Sequence, residues 1–134
     1  MAVQTDLSLS DGSTAHVFTA QGSRVIGEQI VSVWKDLDHA SGYTGLAPWL
    51  ITERATFPVS PRAQVDTFGY SLALPFLAVT DGVPKITDIP RFEGKFFLPR
   101  MSQQSSLGYL ANLAAALINS AYVKNAVFTR TAAS

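Results

Sequence analysis

The spacing of apolar residues changes once along this chain, at Pro99, and that change limits the folds open to it. Before Pro99 the clearest stretch repeats every two residues. Phe68, Tyr70, Leu72 and Leu74 alternate with Gly69, Ser71 and Ala73, which puts large apolar side chains on one face of a strand and small ones on the other. After Pro99, Leu107, Leu110, Ala114, Leu117 and Ala121 follow at steps of 3, 4, 3 and 4. That spacing is one face of an α-helix. Strands first and helices after, with no alternation between them, make an α+β chain with a single antiparallel sheet.

Turn residues punctuate the strand half. Leu7 and Leu9 alternate with Ser8 and Ser10, Asp11-Gly12 supplies a turn, and Ala15 to Thr19 returns as the second arm of an N-terminal hairpin. Gln21-Gly22-Ser23 reads as a second break. Val25 to Lys35 fits two patterns: Val25, Ile26, Gln29, Ile30, Val33 and Trp34 have helical spacing, while the β-branched content suits a strand. Trp49 to Phe57 is a strand ended by Pro58 and by Ser60-Pro61, and Pro75 ends the strand from Phe68. A long connection runs from Phe76 to Pro90 with a turn at Asp81-Gly82-Val83-Pro84, and Phe92 to Leu98 is a further strand. Ser102 or Ser105 can cap the first helix. Asn119-Ser120 interrupts it, Ala121 to Phe128 forms a second helical piece, and the tail from Thr131 is expected to fray. With no repeat and no linker, residues 1–134 are expected to be one domain.

This arrangement poses a packing problem. A sheet of about five strands has more apolar area on one face than one amphipathic helix covers. Each large side chain contributes roughly 1.5–3 kcal/mol when buried, so a half-wet face is untenable. A second copy of the chain is the natural cover. Composition agrees, since 47% of residues are apolar and only 15% charged, which suits a chain whose surface is largely covered.

Chemistry is excluded step by step. There is no cysteine, which removes disulfides, thiolate metal sites and thiol catalysis. No segment resembles a signal peptide or a membrane span, so synthesis and assembly in the cytoplasm are expected. His16 and His39 are the two histidines; Asp36-Leu37-Asp38-His39 could be imagined as a metal cluster, but a polar turn needs no further ligands. Nucleophile elbows, phosphate loops and dinucleotide fingerprints are missing. The expectation is a protein that is not an enzyme and needs no metal or cofactor.

Net charge is zero, with ten basic and ten acidic residues, so any nucleic-acid contact rests on local placement. Residues 1–49 hold five acids and two bases, residues 50–100 five acids and six bases, and the remainder only Lys124 and Arg130. A polar strip crosses the middle strands: Thr52, Arg54 and Thr56 on one, Gly69 and Ser71 on the next, and Arg91, Glu93 and Lys95 on the third. Hydroxyls and cations on an open sheet face can hold RNA phosphates and 2′-hydroxyls. The same strip also suits an ordinary solvated face.

Taken in order, these pieces resemble the coat proteins of small single-stranded RNA bacteriophages over nearly the whole chain. The resemblance is carried by the Asp-Gly hairpin with Val17-Phe18-Thr19-Ala20, by Gly27 to Trp34, and by the strand ending Ser71-Leu72-Ala73-Leu74-Pro75. It continues through a loop ending at Pro90, Arg91-Phe92-Glu93-Gly94-Lys95-Phe96-Phe97-Leu98-Pro99, and an alanine- and leucine-rich helix after a Ser/Gln-rich start. It implies an N-terminal β-hairpin, a five-stranded antiparallel sheet and two C-terminal helices. Two such chains would form an intertwined homodimer with a continuous ten-stranded sheet, with Leu107, Leu110, Ala114 and Leu117 at the interface. It further implies an icosahedral shell, a virion location, packaging of single-stranded genomic RNA against the sheet face, and Val25–Lys35 as strand.

The RNA-contacting positions carry over as Thr52, Arg54, Thr56, Gly69, Ser71, Arg91, Glu93 and Lys95. Family members that recognise one RNA hairpin also repress translation through it. Here a base-stacking tyrosine position holds Arg91, a lysine position holds Ser71, and Glu93 would repel phosphate, which points to non-specific genome contact. Two other readings are a cellular dimeric α+β binding module and a dimeric hydrolase using His39; the module would stop at a dimer, and the hydrolase would need a pocket in place of a flat sheet face.

Overall fold

The computed structural model describes residues 4–37, 48–60, 62 and 64–131. His39, Asp38, Pro61 and the last three residues, which figure in the sequence reading, lie outside them. Among the described residues the strands are β1 (Leu7–Ser10), β2 (Ala15–Ile26), β3 (Gln29–Asp36), β4 (Trp49–Thr56), β5 (Val65–Ala73), β6 (Phe76–Thr80), β7 (Val83–Asp88) and β8 (Arg91–Pro99). The helices are α1 (Gln104–Ile118) and α2 (Ala121–Thr129). The chain divides into two units between Leu98 and Pro99, where the apolar period changes.

In the first unit the strands neighbour one another in the order β1-β2-β3-β4-β5-β8, and β6-β7 form a separate two-stranded sheet. The expected five-stranded sheet is β2-β3-β4-β5-β8, and the N-terminal hairpin adds β1 beyond β2. Cross-strand register sorts the side chains. Trp34 faces Ile51, which faces Leu72, and Ala20 faces Trp34. These residues share one face, where Phe18, Trp34 and Ile51 are buried against Leu7, Ala20, Trp49 and Leu72. The chain before β1 is tied to β3 and β2: the Trp34 indole N–H donates to the Thr5 carbonyl at 2.8 Å, and the Asp6 carboxylate accepts from the Ala20 amide at 2.8 Å.

Three local expectations need correction. Gln21-Gly22-Ser23 is not a break. β2 runs through it, with the pairing slipping between Ala20 and Ser23 and Gly22 at φ +98°, so a β-bulge absorbs the glycine. Val25–Lys35 is not one element, because Val25 and Ile26 end β2, Gly27-Glu28 turns, and β3 follows. Gly27 at φ +62° occupies the first central position of a two-residue hairpin turn, where glycine is favoured. The helical spacing counted there comes from two strands read as one, and the strand conformation that the family resemblance implied forms on both sides of the turn. The long connection also holds a hairpin that its turn residues alone did not reveal: Asp81 (φ 54°) and Gly82 (φ 77°) make a two-residue turn joining β6 to β7, with the paired left-handed signs that Asp-Gly favours.

The second unit consists of α1 and α2. Neither serine caps α1. Ser102 is held in a turn, its amide donating to the Pro99 carbonyl at 3.0 Å, and the helix starts behind Gln103 without a side-chain cap. Ser105 lies inside the first turn. Ser120 does cap α2, accepting from the Val123 amide at 3.3 Å and stopping α1 through its own bond to the Leu117 carbonyl at 2.7 Å. No residue of either helix is buried. No helix among the described residues is long and apolar enough to cross a membrane.

Candidate nucleic-acid interface

Pairing places the polar strip on the sheet face opposite the buried aromatic cluster. Thr52 faces Ser71, Arg54 faces Gly69 and Thr56 faces Thr67. Directly opposed residues share a face, and every second residue returns to it. Where β8 neighbours β5, the strip closes into an open hollow of about 410 Å³, lined by Thr52, Arg54, Gly69, Tyr70, Ser71, Arg91, Glu93, Gly94 and Lys95. Seven of the eight residues singled out from the sequence meet there. Thr56 stays on the same face but outside the hollow, with its hydroxyl accepting from the Gln29 side-chain Nε2 at 3.3 Å. Tyr70 and Gly94 also border the hollow, and register places the Tyr70 side chain on the other face, so its contribution is main chain.

Three cations, Arg54, Arg91 and Lys95, surround one carboxylate, Glu93. The hollow is therefore net positive although the whole chain is neutral. Gly69 keeps its floor low: a methyl there would meet Lys95 Cε at 3.6 Å, and the Lys95 ammonium also stands 5.9 Å from the Phe97 ring centre. No conventional catalytic set lines it. The tyrosine at its border is chemically quiet, since burial, with Glu53 beside it, pushes the Tyr70 phenol up to about 12. Hydroxyls, cations and open strand backbone suit a polyanion lying across the strands.

The same face continues past β4. Arg24 faces Val31, and Val31 faces Arg54, so Arg24 shares the side of the cations already named. Lys35, four residues on from Val31, does too. Both line a second open hollow of about 360 Å³ beside the β2 bulge, with Gln21, Gly22, Ser23, Val31 and Val33. Sequence reasoning missed this pair because it could not set the register of 25–35. With Gly27 taken as a turn, the alternation Val31, Val33, Lys35 would have found it.

On α1, Leu107 and Ala114 are half-buried, while Leu110 and Leu117 are 41% and 60% exposed. The proposed dimer residues thus leave apolar surface open in the single chain. Tyr109, Leu113, Tyr122, Val127 and Phe128 are more than half exposed beside them on the two helices.

No family model matches the chain, and no curated protein sequence does. Solved structures do match. The virus-like particle of Beihai levi-like virus 21 aligns over 99% of both chains with a TM-score of 0.87 at 16% identity. The virus-like particle of bacteriophage NT-214 aligns over 99% of this chain and 100% of its own, with a TM-score of 0.79 at 20% identity. The capsid protein of bacteriophage GA aligns over 95% of each chain at 0.67 and 14%. The fold, a β-hairpin and antiparallel sheet followed by two C-terminal helices, is the levivirus coat-protein fold. It extends over essentially the whole length of the chain, as the sequence resemblance implied.

Proposed function

We propose that this chain is a capsid protein that dimerises, assembles into an icosahedral shell and packages single-stranded RNA in a virion built in a bacterial cytoplasm. The observation that carries the reading is the end-to-end fold match to proteins of virus-like particles. The open apolar stripe of α1 supports dimerisation, with residues 1–134 forming one domain completed by the partner. Edge-to-edge joining at β8, the last strand of the sheet, would give a continuous ten-stranded sheet.

RNA packaging is supported by the net-positive hollow of Arg54, Arg91 and Lys95 with Thr52 and Ser71. Glu93 within it, and the cations spread out to Arg24 and Lys35, favour contact with many RNA segments over recognition of one hairpin. Translational repression therefore has no feature of its own here. Expression of the chain alone, followed by sizing and electron microscopy, tests the reading. Closed particles containing host RNA are expected; a soluble dimer that stays a dimer at high concentration would overturn it and favour a cellular binding module.

A further inference from the structure

On the core face of the sheet, away from the basic hollows, one histidine is held between two carboxylates. His16 Nδ1 lies 2.8 Å from Asp36 Oδ2, and His16 Nε2 lies 2.8 Å from Asp11 Oδ2. The three come from different places: His16 from the start of β2, Asp36 from the end of β3, and Asp11 from the turn between β1 and β2. Asp36 is only 2% exposed, the His16 side chain 12% and the Asp11 side chain 39%. The His16 ring also rests on Trp49 of β4, with ring centres 5.0 Å apart.

Hydrogen-bond chemistry fixes the charge of this arrangement. A neutral imidazole has one N–H and one lone pair, whereas ionised carboxylates only accept. Both nitrogens of His16 face carboxylate oxygens, and toward two ionised carboxylates only the imidazolium donates from both. On losing a proton, the ring must turn a lone pair toward one carboxylate. Asp36 is buried, where water does not take the place of the imidazole N–H. Asp11 is at the surface, where water replaces it. The remaining proton therefore stays on Nδ1, and the bond to Asp11 is the one that breaks.

Asp11 in turn shapes its loop. Its Oδ1 accepts from the Ser13 and Thr14 amides at 2.8 Å each and from the Ser13 hydroxyl at 3.1 Å. Of the neighbouring elements, β1 sets Leu9 opposite His16, β4 presents Trp49, Lys35 of β3 faces the other side, and Asp6 is engaged by the Ala20 amide.

We propose that Asp11, His16 and Asp36 form a pH-dependent clamp that fastens the β1–β2 turn to the sheet while His16 is protonated and frees the turn when the proton leaves. The hydrogen bond to Asp11 holds the His16 imidazole above its ordinary 6.5, with Asp36 adding to it and burial opposing. The same bond, with the Thr14 and Ser13 amides, holds the Asp11 carboxyl well below the usual carboxylate range. A raised histidine value stabilises below 6.5 and its effect fades as pH climbs through the folded value. A lowered carboxylate value stabilises above the unfolded value of 3.8 and its effect fades only in strong acid. The clamp is thus closed from mild acid to beyond the ordinary imidazole range, and it opens on the alkaline side.

Deuterium exchange at the histidine ring C2–H, read by mass spectrometry, gives the His16 midpoint in particles or free protein alike. Amide exchange of the peptide spanning 10–16, corrected for intrinsic rate, reports the turn. The expected midpoint lies above 6.5, and turn protection falls several-fold across it. Asp11→Asn, at an exposed position, should lower the midpoint and remove the pH step while strand protection elsewhere is unchanged. A midpoint at or below 6.5, one unmoved by Asp11→Asn, or a turn whose protection ignores His16 would overturn the clamp. None of these outcomes bears on whether the chain builds a shell.

Discussion

Arg54 and Lys95 reach the hollow from β4 and β8, one on each side of Gly69. Neither contributes to the buried cluster of Phe18, Trp34 and Ile51 on the opposite face, so their removal should leave the sheet intact. Arg54→Ala with Lys95→Ala is expected to lower the RNA carried per particle and to weaken binding of single-stranded RNA by dissociated protein. The salt dependence should flatten by roughly 0.7 in log–log slope for each phosphate left without its cation. Unchanged RNA content, measured from absorbance ratios of purified particles, would mean that the hollow is merely solvated. These two residues were legible from alternation alone, because β4 and β8 have one clear face each. Arg24 and Lys35 were not, since their register depends on a glycine turn hidden inside helical spacing. The Asp11–His16–Asp36 cluster was beyond reach for a different reason: it joins a turn and two strands through pairings that no local pattern encodes.

Among the elements, the helices and the strands with one clean alternation were legible, whereas strands interrupted by a glycine or a proline were not. The helices announce themselves through 3.6-residue spacing and through Ser120, whose hydroxyl both stops α1 and starts α2. The β6–β7 hairpin was missed because Pro84 breaks a strand pattern. In the fold Pro84 faces Val79, the pair just beyond the turn-closing pair, where the strand N–H points outward and no ladder bond is sacrificed. The hairpin is anchored at its base by the Leu74 amide, which donates to the Pro90 carbonyl at 3.0 Å, and it exposes Val79, Val83 and Ile86 by about half. If the shell has subunits in unlike surroundings, such an apolar finger needs to adapt, and its own ladder makes bending at Leu74–Pro75 and Ile89–Pro90 cheaper than unpairing. The expected result of a shell structure is a hairpin carried at different angles in different subunits, with the Thr80–Val83 pairing kept in each. A single orientation throughout would sink the idea.

At the scale of the molecule, the proposed assembly rests on what the single chain leaves uncovered. Among the described residues the sheet unit buries few large side chains and the two helices bury none, yet nearly half the chain is apolar. In the proposed reading a second copy covers these apolar faces, as the ratio of strands to helices in the sequence led us to expect. In the proposed dimer the α1 stripe of Leu107, Leu110, Ala114 and Leu117 is buried on association, and the small residues Ala111, Ala114, Ala115 and Ala116 permit close approach. Truncating a large side chain in such an interface costs roughly 2–5 kcal/mol, and a symmetric pair suffers it twice. Leu110→Asp is worse, because it carries an unpartnered charge into apolar surroundings. Since Leu110 is 41% exposed in the chain itself, the substitution should spare the helix and strike the association. The expected outcome is loss of both dimer and particle in sizing and electron microscopy, with helical circular dichroism retained in whatever monomer stays soluble. Lys124→Ala, on α2 and outside the stripe, should assemble as the parent does. Normal particles from Leu110→Asp would place α1 against solvent in the shell, and dimerisation would then have to rest on the β8 edge alone.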